Sequence, residues 1–246
     1  MLSVFRTIRR KLIPEGKITD YAGYAVGEII LIVIGILIAL QINTWSEDRQ
    51  DRKAEREIIS GLQNEFILNS KLLSEVKARL EKTESCSYQL MELMKRDAAD
   101  LSEHDLDYLV FWSVEHGPFS PSNNVLTEVL QTGKLGLIRD RELKNSLFDW
   151  DRMPDNNQAN NRVYIKFLEE NLIPYLIDSI ALKNIDTHSP MQWDHPSGFE
   201  SGMHQIFQDR KFENIIDNLL YHISVLKADY ESIELVIDDL VSRTAP

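Results

Sequence analysis

The sequence predicts an all-α fold, in which a single N-terminal transmembrane helix is followed by an extracytoplasmic bundle of long helices. The first observation behind this is the stretch Ala22 to Ile42 (AGYAVGEIILIVIGILIALQI), broken by a charge only at Glu28. At about 1.5 Å per helical residue it reaches ~32 Å, enough to cross a hydrocarbon core of roughly 30 Å. The second is a pair of long stretches, residues 59–94 and 212–240, whose seam positions recur alternately three and four residues apart. That spacing belongs to helices packed along one face.

Residues 1–21 come first. Leu2, Phe5, Ile8 and Leu12 recur at helical spacing among Arg6, Arg9, Arg10 and Lys11, and Pro14 ends the pattern. The segment reads either as a basic amphipathic helix on an anionic inner leaflet or as an ordinary basic topology signal. The span, residues 22–45, has Tyr21 and Tyr24 at one end and Trp45 at the other, in the manner of interfacial aromatic belts. It is longer than the core of a cleaved signal and leaves through Gln41, Asn43 and Trp45 without a small-residue cleavage site, so the anchor is expected to stay attached.

Orientation rests on basic residues in the short flanks. Five precede the span, while Arg49, Arg52, Lys53 and Arg56 follow it. The free amino terminus and the ease of translocating a long downstream domain tip the balance toward a cytoplasmic N-terminus and a C-terminal domain outside the cytoplasm. Residues 46–57 form a charged helical connector.

The domain at 58–246 opens with Ile59, Leu62, Phe66, Asn69, Leu73, Val76, Leu80, Thr83, Ser87, Leu90 and Met94 on one seam. Short helices follow. Ser102, answered by Asp105 as in a capping box, is expected to start one that ends near Glu115, before Gly117-Pro118. Ser122 starts another that closes at Gly133, and Asp140 caps a long helix to about Leu182 with Leu143, Leu147, Trp150, Val163, Phe167, Ile173, Leu176 and Ile180 facing inward. Pro154 and Pro174 are expected to break or kink it. Residues 183–202, with Pro190, Pro196, Gly198 and Gly202, have no helical period, and the last helix carries Phe212, Ile216, Leu219, Ile223, Leu226, Tyr230, Ile233, Ile237 and Leu240 on its seam.

Charge and chemistry narrow the function classes. Beyond the anchor the chain holds 22 basic against 36 acidic residues, a balance that repels phosphates and argues against a nucleic-acid partner. Cys86 is the only cysteine, so no intrachain disulfide or cysteine-based zinc site is possible. His188, Asp194, His195 and His204 share the irregular segment without the spacing of a zincin or di-iron site, and solvated loop histidines account for them better. No cofactor motif is present.

The strongest site candidates lie in the span. Gly23, Gly27, Leu31, Gly35 and Ala39 fall four apart, and small residues let transmembrane backbones approach closely. Glu28 lies within about 20–40° of Gly35 and Ala39 around the helix. A carboxylate there either snorkels to the headgroups, is protonated, or meets a partner helix. Gly23, Tyr24 and Glu28 after a basic leader also resemble a type IV prepilin processing site, but a pilin carries a β-rich head.

The segment GEIILIVIGILIALQINTW (27–45), the opening FRTIRRKLIPEGKITDYAGYAVGE and the block SNNVLTEVLQTGKLGLIRDRELKNSLFDW (122–150) resemble a family of single-span membrane proteins of Bacteroidota defined as a domain of unknown function. The resemblance implies an inner-membrane home and no activity. The function class expected is a non-enzymatic, membrane-anchored scaffold or sensory module, as a homo-oligomer or with a membrane-protein partner, with Gly27, Glu28, Gly35 and Ala39 as contact residues. The alternative is a periplasmic ligand- or metal-dependent enzyme using residues 183–204.

Overall fold

A computed structural model describes residues 18–191 and 193–245; the basic leader through Lys17 and the side chains of residues 18–22, 24 and 154–158, Tyr21, Tyr24 and Pro154 among them, lie outside that description. Every regular element is helical, and no strand occurs among the described residues. The chain divides into two compact units, Met1–Glu57 and Ile58–Pro246.

Helix α1 (Ile18–Glu92) contains no proline, which is why nothing interrupts its hydrogen-bond ladder. Within the first unit its large apolar side chains from Val26 to Trp45 are all exposed, and the most apolar window has a mean hydropathy of 2.6 with none of it buried. Arg49 lies with its guanidinium 5.8 Å from the centre of the Trp45 ring.

In the second unit all eleven expected seam residues, ten on α1 and Met94 just past its end, are buried or half-buried, including the polar Asn69, Thr83 and Ser87. Thr83 and Ser87 return their hydroxyls to backbone carbonyls one turn back, satisfying them inside the core. The last helix, α9 (Arg210–Thr244), buries all nine of its expected seam residues. Lys77 pairs with Glu234 at 2.5 Å and Glu84 with Lys227 at 2.6 Å. Seven residues further along α1 is seven residues back along α9, so the two helices run antiparallel with ion pairs of opposite sense beside the seam.

Helix α5 (Arg141–Phe167) packs on the same α9. Ser146 donates to Asp239, Asn160 to Asp229 and Tyr230 to Asn161, so α5 also runs antiparallel to α9. Phe66 of α1 meets Trp150 of α5 edge to face at 5.3 Å. Three long helices thus share one core, and the connection from α1 to α5 carries three short α-helices, α2 (Ala98–Ser102), α3 (Leu106–Val114) and α4 (Asn124–Gln131), and a 3-10 turn, Lys134–Leu137.

The sequence-based caps need correction here. Asp97 caps α2, and Ser102 ends it by donating to the Ala99 carbonyl; Asp105 is itself the cap of α3, accepting from the Tyr108 N–H. Gly133 does take the left-handed conformation, φ 70°, after α4, and Asp140 caps α5.

Helix α4 is capped from a distance. Its own N-cap residue, Asn123, accepts from the Trp150 indole instead. The buried Glu65 of α1 accepts from Ser122 Oγ and from the Val125 and Leu126 N–H groups at 3.0, 3.0 and 3.1 Å. The fully buried Asn69 exchanges two hydrogen bonds with the Ser122 backbone. The Ser-Asn-Asn start of the 122–150 block is therefore the point at which the connection is fastened to α1 and α5.

Pro154 does not break the third long helix, whereas the chain does depart from the α-helix just before Pro174. α5 runs through position 154, and the chain passes through a π-helical segment, Leu168–Leu172, into α6 (Ile173–Ser179). The wider turn stands directly before Pro174, whose ring and missing N–H disfavour an ordinary turn there. Val163, expected inward, is 53% exposed, and Tyr164 is buried in its place. Leu143, Leu147 and Trp150, and after eleven residues Asn161, Tyr164 and Leu168, are buried at three- and four-residue steps in one helical phase, and position 163 falls out of that phase.

Candidate functional site

Sequence points to two places: one face of the apolar part of α1, and the irregular segment after α6. On α1, Gly27 is half-buried, while Glu28, Gly35 and Ala39 are exposed, and a Cβ added at Gly27 or Gly35 meets nothing within 4 Å. At about 100° per residue, Glu28 lies between Gly35 and Ala39 in projection, roughly 20° from each. Gly27 lies roughly 80° from Gly35 and sits at the edge of that face. The helix therefore brings Glu28, Gly35 and Ala39 into one stripe and leaves Gly27 beside it. Chemically, the stripe offers a smooth backbone strip with one carboxyl group.

The irregular segment holds α7 (Leu182–Ile185), a 3-10 turn Asp186–His188 and α8 (Met203–Ile206). Gly202 takes φ 66°, and a Cβ there would collide with the Ser179 carbonyl oxygen, so glycine is required where the loop returns. The four polar residues expected to share this region do not converge. His188 is half-buried against the Tyr108 and Phe111 rings of α3, with Nε2 3.5 Å from Asp105. Its partly buried setting corrects the expectation of a solvated loop histidine.

His195 instead faces Lys183 at 3.0 Å, and His204 is exposed on α8. Among the described residues no group of three or more His, Cys, Asp or Glu side chains could hold a metal ion.

Sequence reasoning missed the neighbourhood of His188. Asp107 has a buried Oδ1 without a hydrogen-bond partner. Burial and the nearby Asp105 raise its pKa, while His188 opposes the shift. Lys82 of α1 lies 3.9 Å from the centre of the Trp112 ring and 5.1 Å from that of Tyr108. The signal available in the chain was the run Asp107-Tyr108…Phe111-Trp112, but its meeting with His188 is a long-range contact that no local pattern encodes.

The irregular segment also exposes Met191, Trp193 and Phe199, the last at 87%. Trp193 is steadied by Lys183 over its ring at 5.3 Å and by donation to Asp186. Compared with protein-family models, curated proteins and solved structures, the chain matches none.

Proposed function

We propose that this chain is a single-span membrane protein of the bacterial inner membrane. In this reading the N-terminus is cytoplasmic and the helical bundle, residues 58–246, lies in the periplasm as a non-enzymatic scaffold or sensory module acting through protein contacts. The span face of Glu28, Gly35 and Ala39, with Gly27 at its edge, meets a second copy or another membrane helix. The resemblance of the anchor and of the 122–150 block to the single-span Bacteroidota family agrees with this home.

One observation carries the reading: eleven Ile, Leu and Val side chains between Ile29 and Ile42 are all exposed, on a helix that continues into the seam of a well-packed domain. Each favours insertion by about 0.3–0.6 kcal/mol at a helix centre, roughly 3–7 kcal/mol together. A carboxylate at the centre opposes insertion by about 2.5–3.5 kcal/mol. The apolar residues outweigh Glu28, the more so because it lies near one end of the run.

The test is extraction of native membranes at alkaline pH, followed by a membrane-association assay of the span. The protein should stay in the pellet, and Gly35→Ile should weaken association while Val33→Ile, about 200° away around the helix, leaves it unchanged. Release by alkaline washing would overturn the anchor. Equal behaviour of the two variants would reduce the stripe to composition.

A further inference from the structure

At the end of the second unit opposite Ile58, a groove of about 360 Å³ opens between two walls, a size at the low end of small-molecule sites. One wall runs from the end of α5 through the π segment into α6; the other is the first two turns of α9. A π turn is a frequent feature of helices that shape binding sites. We propose that this groove binds a small zwitterion of the α-amino-acid class. The inference concerns the helical domain alone and does not depend on the anchor.

The charges of the two walls are opposite. Glu170 and Asp178 stand on the α5–α6 side and Lys211 on the α9 side. The Lys211 ammonium lies 5.4 Å from the centre of the Tyr175 ring, so it stands over the groove floor while staying open to solvent. Of the two acids within two residues of it in sequence, Asp209 and Glu213, Asp209 is already engaged: it accepts from the Tyr175 hydroxyl at 2.8 Å and caps α9 through the Lys211 N–H. Those hydrogen bonds hold its pKa below the ordinary carboxylate range. Glu170 faces Lys166 at 3.7 Å, which leaves Asp178 as the carboxylate better placed to receive an ammonium.

The floor is apolar. Phe167, Tyr175 and Ile215 are buried beneath the charged rim. Asn214 and Asn218, one turn apart on α9, add exposed carboxamides, each offering a donor and an acceptor. A ligand with a carboxylate toward Lys211, an ammonium toward Asp178 and an apolar side chain on the floor satisfies all three features together. A simple cation would leave Lys211 opposing it, and a simple anion would meet Asp178 and Glu170.

The experiment uses the full chain in detergent micelles, with thermal melting as the readout. Each of the twenty L-amino acids is added singly, and each one that shifts the melt is compared with its decarboxylated amine and its deaminated acid. At least one amino acid should raise the melting temperature by about 5–10 °C at a hundredfold excess over its Kd, with both truncated analogues at least tenfold weaker. Lys211→Gln should weaken the amino acid at least tenfold while leaving the amine unchanged, and Asp178→Asn should do so while leaving the acid unchanged.

Both side chains are exposed, so both variants should keep the wild-type circular dichroism spectrum. The proposal fails if no amino acid shifts the melt, if an amine binds as well as its parent, or if neither variant alters binding.

Discussion

Replacing Glu65 tests how the second unit is held together. Its carboxylate is only 6% exposed and accepts three hydrogen bonds from the start of α4, two of them from backbone N–H groups. In Glu65→Ala those donors lose their acceptor, and the Leu126 N–H lies where water does not reach. Losing an N-cap costs about 0.5–2 kcal/mol, and each buried donor left unpaired costs about 1–3 kcal/mol. Because the three bonds share one side chain, the costs overlap, and the expected loss is about 3–5 kcal/mol.

For a domain of this size that lowers the melting temperature by roughly 6–20 °C. Glu65→Gln, which keeps one carbonyl oxygen, should fall between wild type and alanine. Ser122→Ala removes only one of the bonds and should cost about 0.5–1.5 kcal/mol. The assay is thermal and urea unfolding of the full chain in detergent, followed by circular dichroism, with the exposed Glu75→Ala as control. If Glu65→Ala and Glu75→Ala melt within a degree of each other, the capping role assigned to Glu65 is wrong.

The core makes a matched pair of predictions: Leu226→Ala, at a position 2% exposed, should destabilise by about 2–5 kcal/mol, whereas Leu235→Ala, 73% exposed on the same helix, should change stability by less than about 0.5 kcal/mol. Urea unfolding separates them. The antiparallel register predicts that Glu84→Lys, which opposes Lys227, loses up to about 1 kcal/mol, and that adding Lys227→Glu restores it, as a double-mutant cycle would record.

His222 packs 4.8 Å from the Phe167 ring, and burial lowers its pKa. The unfolded chain therefore takes up the proton first as pH falls below about 6.5, so this group's stabilising contribution is present at higher pH and lost on acidification through the folded pKa. His222→Leu should flatten the dependence of melting temperature on pH between about 7 and 5.

The long helices were legible because burial along them is periodic. Every α9 position from Phe212 to Leu240 on the three-four line is buried, and the α1 line was readable even through Asn69, Thr83 and Ser87, since helical phase outranks polarity. Choosing by polarity rather than phase was what misplaced Val163. The caps at Ser102 and Asp105 failed because two acids, Asp97 and Asp105, compete for adjacent short helices, and local spacing does not decide between them.

Asp229 shows the same limit. It lies off the seam, yet it receives a hydrogen bond from Asn160 of α5, a tertiary partner invisible in the α9 pattern. The candidate contact stripe was legible as helical geometry, with Gly27 off its centre. The groove at Lys211 and Asp178 was not, because its walls lie more than thirty residues apart and meet only through the packing of α9 against α5 and α6.

The central claim is that one helix anchors this domain with its C-terminus outside the cytoplasm. A dual reporter fused after Pro246, active as a phosphatase only in the periplasm and as a galactosidase only in the cytoplasm, measures it directly. The account predicts phosphatase activity alone, with loss of that exclusivity when Arg6, Arg9, Arg10 and Lys11 are neutralised and lysines are added beyond Trp45. Galactosidase activity from the unaltered chain would contradict it.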